Sequence, residues 1–230
     1  MSRKHIPLAI LGLALVLGLA SATVFLRQDA SASPLAQSPT ASSYWWSYAA
    51  KFVCGFQNAD TAGAVGEPPV KPGNYATEIN IHNYNYKEFN IYKKLVVLAG
   101  SQQDASGSIV PFVHREPDVA RPTTFVKVLL GPDYATMDDC NAIWRMAAQV
   151  GQPLVPGALT IGYLVILSPL DLDVADVYTA EVYSPPTNFQ NPTGISEDVV
   201  YVPGKRVYVP ANTLPTGAQA ELQQILKEQR

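Results

Sequence analysis

The sequence contains few of the side chains on which most enzyme chemistry depends. It has three histidines and two cysteines among 230 residues. The histidines, at positions 5, 82 and 114, are far apart, whereas a zinc site needs three or four convergent ligands at characteristic spacing. No Gly-x-Ser-x-Gly elbow marks a serine hydrolase. The sequence therefore predicts no metal site, no cofactor and no catalytic residue, and leaves open a Ser-His-Asp set drawn from distant positions.

Basic side chains are also scarce, and they are not clustered. The formal net charge is −3. Residues 1–33 hold three of the 16 basic and one of the 19 acidic residues, so the remainder carries 13 basic and 18 acidic side chains, a net charge of −5. No run of more than two Lys or Arg residues follows residue 33. Nucleic-acid-binding proteins concentrate positive charge on one surface, so we expect no nucleic-acid partner.

The N-terminus contains one long apolar run. Arg3 and Lys4 precede uncharged residues 6–26, and Arg27 ends the run. About 20 apolar residues are enough to cross a bilayer as a helix, and a basic flank favours the cytoplasmic side. Residues 1–27 are therefore predicted to be a transmembrane helix that anchors the chain.

A cleavable signal peptide is the alternative, because Ala30-Ser31-Ala32 is a small-residue site of the type that signal peptidases cut. Both interpretations place the rest of the chain outside the cytoplasm, in the periplasm or the extracellular space, and the alternative makes it a secreted protein. No cysteine lies where a bacterial lipoprotein needs one. Residues 28–43 are rich in Ser, Ala, Pro and Gln, which is typical of a flexible tether.

Residues 44–212 have the composition of one β-rich ectodomain, and residues 213–230 form a polar helical tail with a thin apolar stripe. The chain has 47% apolar residues and 19 prolines, which favours one mainly β domain with a sizeable core.

Alternating apolar residues at 159–182 indicate two strands joined by a tight turn at Ser168-Pro169. The apolar face is assigned to Leu159, Ile161, Tyr163, Val165 and Leu167 in the first strand and to Leu170, Leu172 and Val174 in the second. Such alternation needs a second apolar layer, so the sequence predicts an antiparallel β-sandwich.

Two further hairpins are predicted from short polar connections between apolar runs. One joins residues 75–83 to 89–98, and the other lies within residues 199–209. One short helix is expected between strands, starting at Asp138-Asp139, because carboxylates favour the first turn of a helix.

The two cysteines, Cys54 and Cys140, are predicted to form a disulfide, as an even pair usually does in an oxidising compartment. The alternative is a reactive thiol at Cys140, because a helix N-terminus lowers the pKa of a thiol. The neighbouring carboxylates of Asp138 and Asp139 oppose that effect.

The candidate recognition surface is the connection formed by His82, Asn83, Tyr84, Asn85 and Tyr86. Exposed tyrosines supply stacking area and asparagines supply adaptable hydrogen bonds. The alternative is ordinary packing at the edge of the sheet.

The carboxylates of Asp171, Asp173 and Asp176 are hard oxygen ligands that lie close together in sequence, as in a calcium site. Carboxylates at alternate positions are also typical of the solvated face of a strand. We therefore assign no metal ligands.

Five segments resemble a group of uncharacterised bacterial secreted or membrane-anchored β-sandwich proteins. They are KFVCG, PGNYATEINIHN, ATMDDC, LTIGYLVILSPLDLDVADVYTA and YVPGKRV, and they cover about half of the ectodomain. The resemblance implies an extracytoplasmic β-sandwich and no particular activity. The strand ending in His-Asn, the ATMDD turn and the closing GYLVILSPLDLDV segment also look like the sandwich of the sensory rhodopsin transducer type.

Together these features predict a non-catalytic, membrane-tethered domain that binds a partner protein or a glycan, or serves as an accessory subunit of a membrane complex. The alternative is a secreted hydrolase or thiol-redox enzyme whose site is not recognisable from sequence. A cleft with convergent titratable groups of shifted pKa would favour the enzyme.

Overall fold

The computed structural model describes residues 44–58, 69–182 and 194–228. In chain order the strands are β1 (Tyr44–Gln57), β2 (Gly73–His82), β3 (Phe89–Gln103), β4 (Ile109–Val113), β5 (Val126–Leu130), β6 (Ala135–Asp139), β7 (Thr160–Ser168), β8 (Asp173–Val182), β9 (Gly194–Tyr201) and β10 (Lys205–Tyr208). The helices are α1 (Cys140–Gln149), between β6 and β7, and α2 (Ala218–Glu228), after β10. The predicted mainly β class with one short helix inserted between strands is confirmed.

The predicted anchor at residues 1–27 and the tether at residues 28–43 lie outside the described residues. Of the helices that are described, none has both the length and the apolar character needed to cross a bilayer.

Hydrogen bonding arranges the strands in two groups that share β1. Half A is the series β10–β1–β7–β3, with β4 and β5 both paired to β3; half B is the series β6–β2–β8–β9. The last residues of β1, Gly55–Gln57, pair with the start of β2 and join the halves into one open, antiparallel sheet of ten strands.

Gly55 lies where β1 leaves half A for half B. Its φ is +87°, a conformation that favours glycine, and a Cβ atom there would lie 2.3 Å from the carbonyl oxygen of Ala158. Both the local backbone conformation and the close approach of a second chain segment therefore require glycine where the two halves join.

Both halves contribute to one apolar core. Its members include Phe52, Leu95, Leu164 and Ile166 of half A, Ile79, Ile81 and Val174 of half B, and Ile143 and Met146 of α1. The carboxylate of Asp139 caps α1 by accepting a hydrogen bond from the backbone N–H of Ala142 at 2.7 Å, as the sequence predicts for this helix start.

The core-facing side of β7 differs from the prediction. Leu164 and Ile166 are completely buried in the core, whereas Tyr163 is exposed and Val165 is only half-buried. Ile161 and Leu167 are buried, but they project from the opposite side of the strand. The prediction was wrong because β7 is a central strand with large apolar side chains on both faces, and such a nearly continuous apolar sequence does not reveal which face is inside.

Leu164→Ala is expected to lower the free energy of unfolding by about 2–5 kcal/mol, because it leaves a cavity in the core. Val165→Ala, one residue further along, should cost about 1 kcal/mol or less, since its side chain is partly solvated. Urea unfolding of both variants, followed by tryptophan fluorescence, measures the difference. Equal costs would contradict the assignment of the inner face.

Helix α2 covers the outer face of half A. Its Ala218 and Leu222 pack with Trp45, Tyr92 and Leu167 in a second apolar cluster. From the same helix, the carboxylate of Glu221 accepts a hydrogen bond from the Tyr92 hydroxyl at 2.8 Å. Within the tail predicted at residues 213–230, the helix is described from Ala218 to Glu228, and its thin apolar stripe docks it on the sheet.

None of the three predicted hairpins is present. The connections β2–β3, β7–β8 and β9–β10 each join a strand of one half to a strand of the other, and their flanking strands do not pair with one another. The β5–β6 connection crosses in the same way. Short polar connections suit a crossing between layers as well as a hairpin, so loop chemistry alone does not distinguish the two.

Candidate functional site

The four crossing connections lie at one end of the sheet. The pairings His82 with Asp173, His82 with Ala135, and Trp46 with Ser168 place the end of β2 beside the starts of β6 and β8, and the start of β1 beside the end of β7. Of the exposed tyrosines at this end, we call the four that lie on or next to the crossing connections the tyrosine pole. They are Tyr84 (46% exposed), Tyr86 (93%), Tyr134 (65%) and Tyr201 (62%).

Asn83 is buried beneath the pole, so the prediction that it takes part directly in recognition is not supported by its position. Its side-chain NH₂ donates to the carbonyl oxygens of Lys87 at 2.8 Å and Gly131 at 2.7 Å, and its Oδ1 accepts from the backbone N–H of Asn85 at 3.0 Å. These bonds connect the β2–β3 and β5–β6 connections. Asn83 therefore fixes the backbone that presents the neighbouring tyrosines.

Asn85 extends this network to the β7–β8 connection. Its side-chain NH₂ donates to the carbonyl oxygen of Asp171 at 2.8 Å and to the Oδ1 of Asn83 at 3.1 Å. Three of the crossing connections are thus held together by two asparagine side chains.

The carboxylate of Asp171 lies between two tyrosines. It accepts a hydrogen bond from the buried Tyr48 hydroxyl, and it lies near enough to the partly exposed Tyr84 hydroxyl to influence its ionisation. Burial, reinforced by this carboxylate, raises the pKa of both phenols. The Tyr48 hydroxyl also accepts the backbone N–H of Leu172 at 2.7 Å, so the connection is fixed on its inner side as well.

His82 occupies the edge of the pole, at the end of β2. Its Nε2 lies 3.0 Å from Oδ1 of Asp133, and both side chains are substantially exposed. The ring of Tyr134 covers Gly131, where a Cβ atom would come within 2.9 Å of it. Of the predicted recognition residues, His82, Tyr84 and Tyr86 reach the surface of this end, and Asn83 and Asn85 support it.

Sequence reasoning missed Tyr134 and Tyr201. Tyr134 follows the Gly131-Pro132 turn, and Tyr201 precedes the turn at Pro203-Gly204. A tyrosine within two residues of a turn is the local signal that both share with Tyr84. Recognising that these turns meet requires knowing that the connections cross at the same end.

The predicted disulfide is present, and it joins Cys54 of β1 to Cys140 at the start of α1. Cys54 is completely buried, and the Sγ of Cys140 lies 3.3 Å from the backbone nitrogen of Thr77. The alternative, a free reactive thiol at Cys140, is not present in this structure, because the two sulfur atoms are bonded to each other. A disulfide is compatible with an oxidising, extracytoplasmic location.

A buried ion pair links the two halves. The ammonium group of Lys93 in β3 lies 2.7 Å from Oδ1 and 2.8 Å from Oδ2 of Asp138 in β6, and both side chains are about 5% exposed. Of the two acidic residues assigned to the helix start, only Asp139 caps α1. Asp138 points into the core instead and neutralises Lys93.

Asp176 is buried on the inner face of β8. Its Oδ2 accepts the Tyr178 hydroxyl at 3.0 Å, and its Oδ1 has no partner within the described ranges. Burial raises the pKa of this carboxyl to about 6, although the bond from Tyr178 opposes the shift. Asp173 projects from the opposite face, so the three aspartates considered as calcium ligands do not converge.

Phenols with a raised pKa are dispersed over the domain. Tyr48 lies below the pole, Tyr92 lies under α2, and Tyr178 lies beside Asp176. An apolar cleft beside β4 is lined by Phe56, Pro111, Phe112 and other side chains without an ionisable group. Within the part of the chain that is described, no set of three or more His, Cys, Asp or Glu is arranged to hold a metal.

Comparison of the chain with protein-family models, with curated proteins and with solved structures found no match in any of the three. The resemblance to bacterial extracytoplasmic β-sandwich proteins therefore depends on the sequence segments alone.

Proposed function

We propose that this protein is a non-catalytic binding domain that is held outside the cytoplasmic membrane and recognises a partner protein or a glycan through the tyrosine pole. The observation that supports this function best is the exposure of Tyr84, Tyr86 and Tyr134 on connections that the side chains of Asn83 and Asn85 hold together. Fixed aromatic side chains lose little conformational entropy on binding, and they provide both an apolar ring and a hydroxyl for contact.

The surroundings of the pole suit a polar ligand. The carboxylates of Asp133 and Asp171 and the imidazole of His82 provide hydrogen-bonding groups next to the rings of Tyr84 and Tyr134. Aromatic rings beside such groups bind the apolar faces and hydroxyls of sugars, or the side chains and backbone of a protein loop. Such a surface is sufficient for binding a ligand without any catalytic step.

The wider proposal includes the fold and the compartment. We infer that halves A and B are the two layers of a β-sandwich, because inward side chains of both contribute to one core. We infer that residues 1–27 anchor the domain in the membrane, on the strength of the apolar run and its basic flank. The Cys54–Cys140 disulfide is consistent with that location.

Replacing Tyr84 and Tyr86 together by Ala should weaken partner binding by about tenfold or more, because both rings belong to the contact surface. The free energy of unfolding should change by no more than about 1 kcal/mol, since both residues are exposed. Tyr163→Ala, an exposed tyrosine in the middle of β7, is the matched control and should leave binding unchanged.

The measurement begins with a photo-crosslinking amino acid in place of Tyr86 in cells, which identifies the partner in contact with the pole. Affinity for that partner is then compared among the wild-type protein, the double variant and the control, alongside urea unfolding. A double variant that unfolds as readily as Leu164→Ala would show that the tyrosines are structural. Normal binding by a stable double variant would place recognition elsewhere.

A further inference from the structure

The outer face of half B is acidic, and no described element covers it. The side chains that project from it belong to alternate residues of β6, β2, β8 and β9, opposite to buried Ile79, Ile81 and Val174. They include the carboxylates of Glu78, Asp139, Asp173, Glu181 and Glu197, and no lysine or arginine. Half A differs, because its outer face is covered by α2.

Apolar groups lie among these carboxylates. Met137 of β6 and Ile195, Val199 and Tyr201 of β9 are all exposed on the same face. The bonds that some of the carboxylates make here come from neutral amides, as when the side chain of Asn80 donates to Glu78 at 3.1 Å. The face thus combines negative charge with aliphatic surface.

Strand β9 forms the edge of this face. All eight of its residues are exposed, and within the described ranges it pairs with β8 alone. One side of the strand therefore presents backbone N–H and C=O groups to an additional strand. Proteins usually protect such an edge with charged side chains, most often lysines, or with a proline; GISEDVVY has no lysine or proline, and its two charged residues, Glu197 and Asp198, are both acidic.

We propose that β9 is a docking edge for an extended, lysine- or arginine-rich segment of another protein, which adds as an eleventh strand and places its basic side chains over the acidic face. The backbone of β9 supplies the hydrogen bonds of strand addition, and the carboxylates determine the charge of the partner. A lysine directly opposite Glu197 would lie within the 4.5–5.5 Å that separates Cβ atoms of paired residues, roughly the range of cross-strand ion pairs. This surface is separate from the tyrosine pole except at Tyr201, and the proposal goes beyond the function proposed above.

A second copy of the chain is a poorer occupant for the same edge. Glu197 and Asp198 lie at the middle of β9, and a two-fold antiparallel pair of β9 strands centred on either residue places that carboxylate directly opposite its own copy. Like charges directly opposite one another destabilise a strand pair. The charge therefore favours a basic heterologous strand over self-association.

The test uses the full-length chain in a mild non-ionic detergent and a fluorescent nine-residue peptide in which lysine and valine alternate. We expect the peptide to bind and to protect the amides of residues 194–201 from hydrogen exchange. The same peptide with glutamate in place of lysine is the control for charge. A version that is N-methylated at every second residue keeps the charge but lacks the N–H donors of one edge, and it should bind about tenfold more weakly or not at all.

Two charge-reversal variants distinguish binding at this face from the general attraction of a basic peptide to an acidic protein. Glu197→Lys should weaken binding of the lysine peptide about tenfold, because it puts like charges opposite one another. Glu116→Lys makes the same change of net charge at an exposed residue between β4 and β5, and it should leave binding within about twofold of wild type.

Three results would overturn the proposal. One is an absence of peptide binding, which includes the cases in which a second copy or another segment of this chain already occupies the edge. The second is equal binding of the N-methylated peptide, which would show charge attraction without strand addition. The third is equal weakening by both lysine substitutions. Replacing Tyr84 and Tyr86 by Ala should leave this binding unchanged, so failure here is distinguishable from failure of the tyrosine-pole proposal.

Discussion

Replacing Cys54 and Cys140 together by Ser is expected to lower the free energy of unfolding by about 4–5 kcal/mol. The disulfide closes a loop with a sequence separation of 86 residues, and in the chain-entropy model the stabilisation grows with the logarithm of loop length. It also ties β1 to the start of α1, so its loss frees an element that contributes Ile143 and Met146 to the core. Urea unfolding followed by tryptophan fluorescence measures the loss.

Chemical reduction of the wild-type protein provides the matched control. Reduced wild type and the double Ser variant should unfold at nearly the same urea concentration. Freshly isolated protein should show no free thiol until it is both unfolded and reduced. Two thiols that titrate in the untreated protein, or a stability loss of less than about 1 kcal/mol in the double variant, would contradict the expectation.

Lys93→Ala should cost about 3–5 kcal/mol of stability, because it leaves the carboxylate of Asp138 buried without its counter-charge. Urea unfolding at neutral pH, compared with the wild-type protein, measures the loss.

The double variant Lys93→Met with Asp138→Leu distinguishes the loss of one partner from the value of the pair. Replacing both charged groups by apolar side chains of similar size is often neutral or stabilising, so the double variant should be much more stable than Lys93→Ala. If the double variant is destabilised as strongly as the single one, the ion pair itself contributes to the alignment of β3 and β6.

Local signals in the sequence predicted much of the fold correctly. The cap at Asp139, the disulfide, the helical tail and the location of most strands follow from patterns within a few residues, or from the presence of only two cysteines. The cap, the helix and the strands depend on local backbone conformation, and the disulfide depends on there being only two cysteines to pair. Predicting them does not require knowing which strands are neighbours.

Features that depend on distant neighbours were not predictable in the same way. Leu164 and Ile166 of β7 face the core that half A shares with half B. Leu167, on the other face, packs against α2, which lies far along the chain, so the neighbours that distinguish the two faces are not apparent from the sequence of β7. Lys93 and Asp138 pair across 45 residues, and nothing near Lys93 shows that this cation is buried.

The candidate site illustrates both cases. The exposed Tyr84 and Tyr86 were found because loop chemistry places them at the surface. The burial of Asn83 was not predictable, because an asparagine in a connection either meets solvent or satisfies buried carbonyl groups, and only the position of the β5–β6 connection decides between the two.

The start of β1 at the same end as the tyrosine pole limits what the pole can reach. Residues 28–43 form the only covalent link between β1 and the predicted membrane anchor, and a chain of that length spans at most about 55 Å when fully extended. As a flexible coil it would extend on average only about 20–25 Å. If residues 1–27 anchor the chain as we propose, a tether of this length would restrict the partners of the pole to molecules near the membrane surface, such as other membrane proteins and glycans attached close to the lipid.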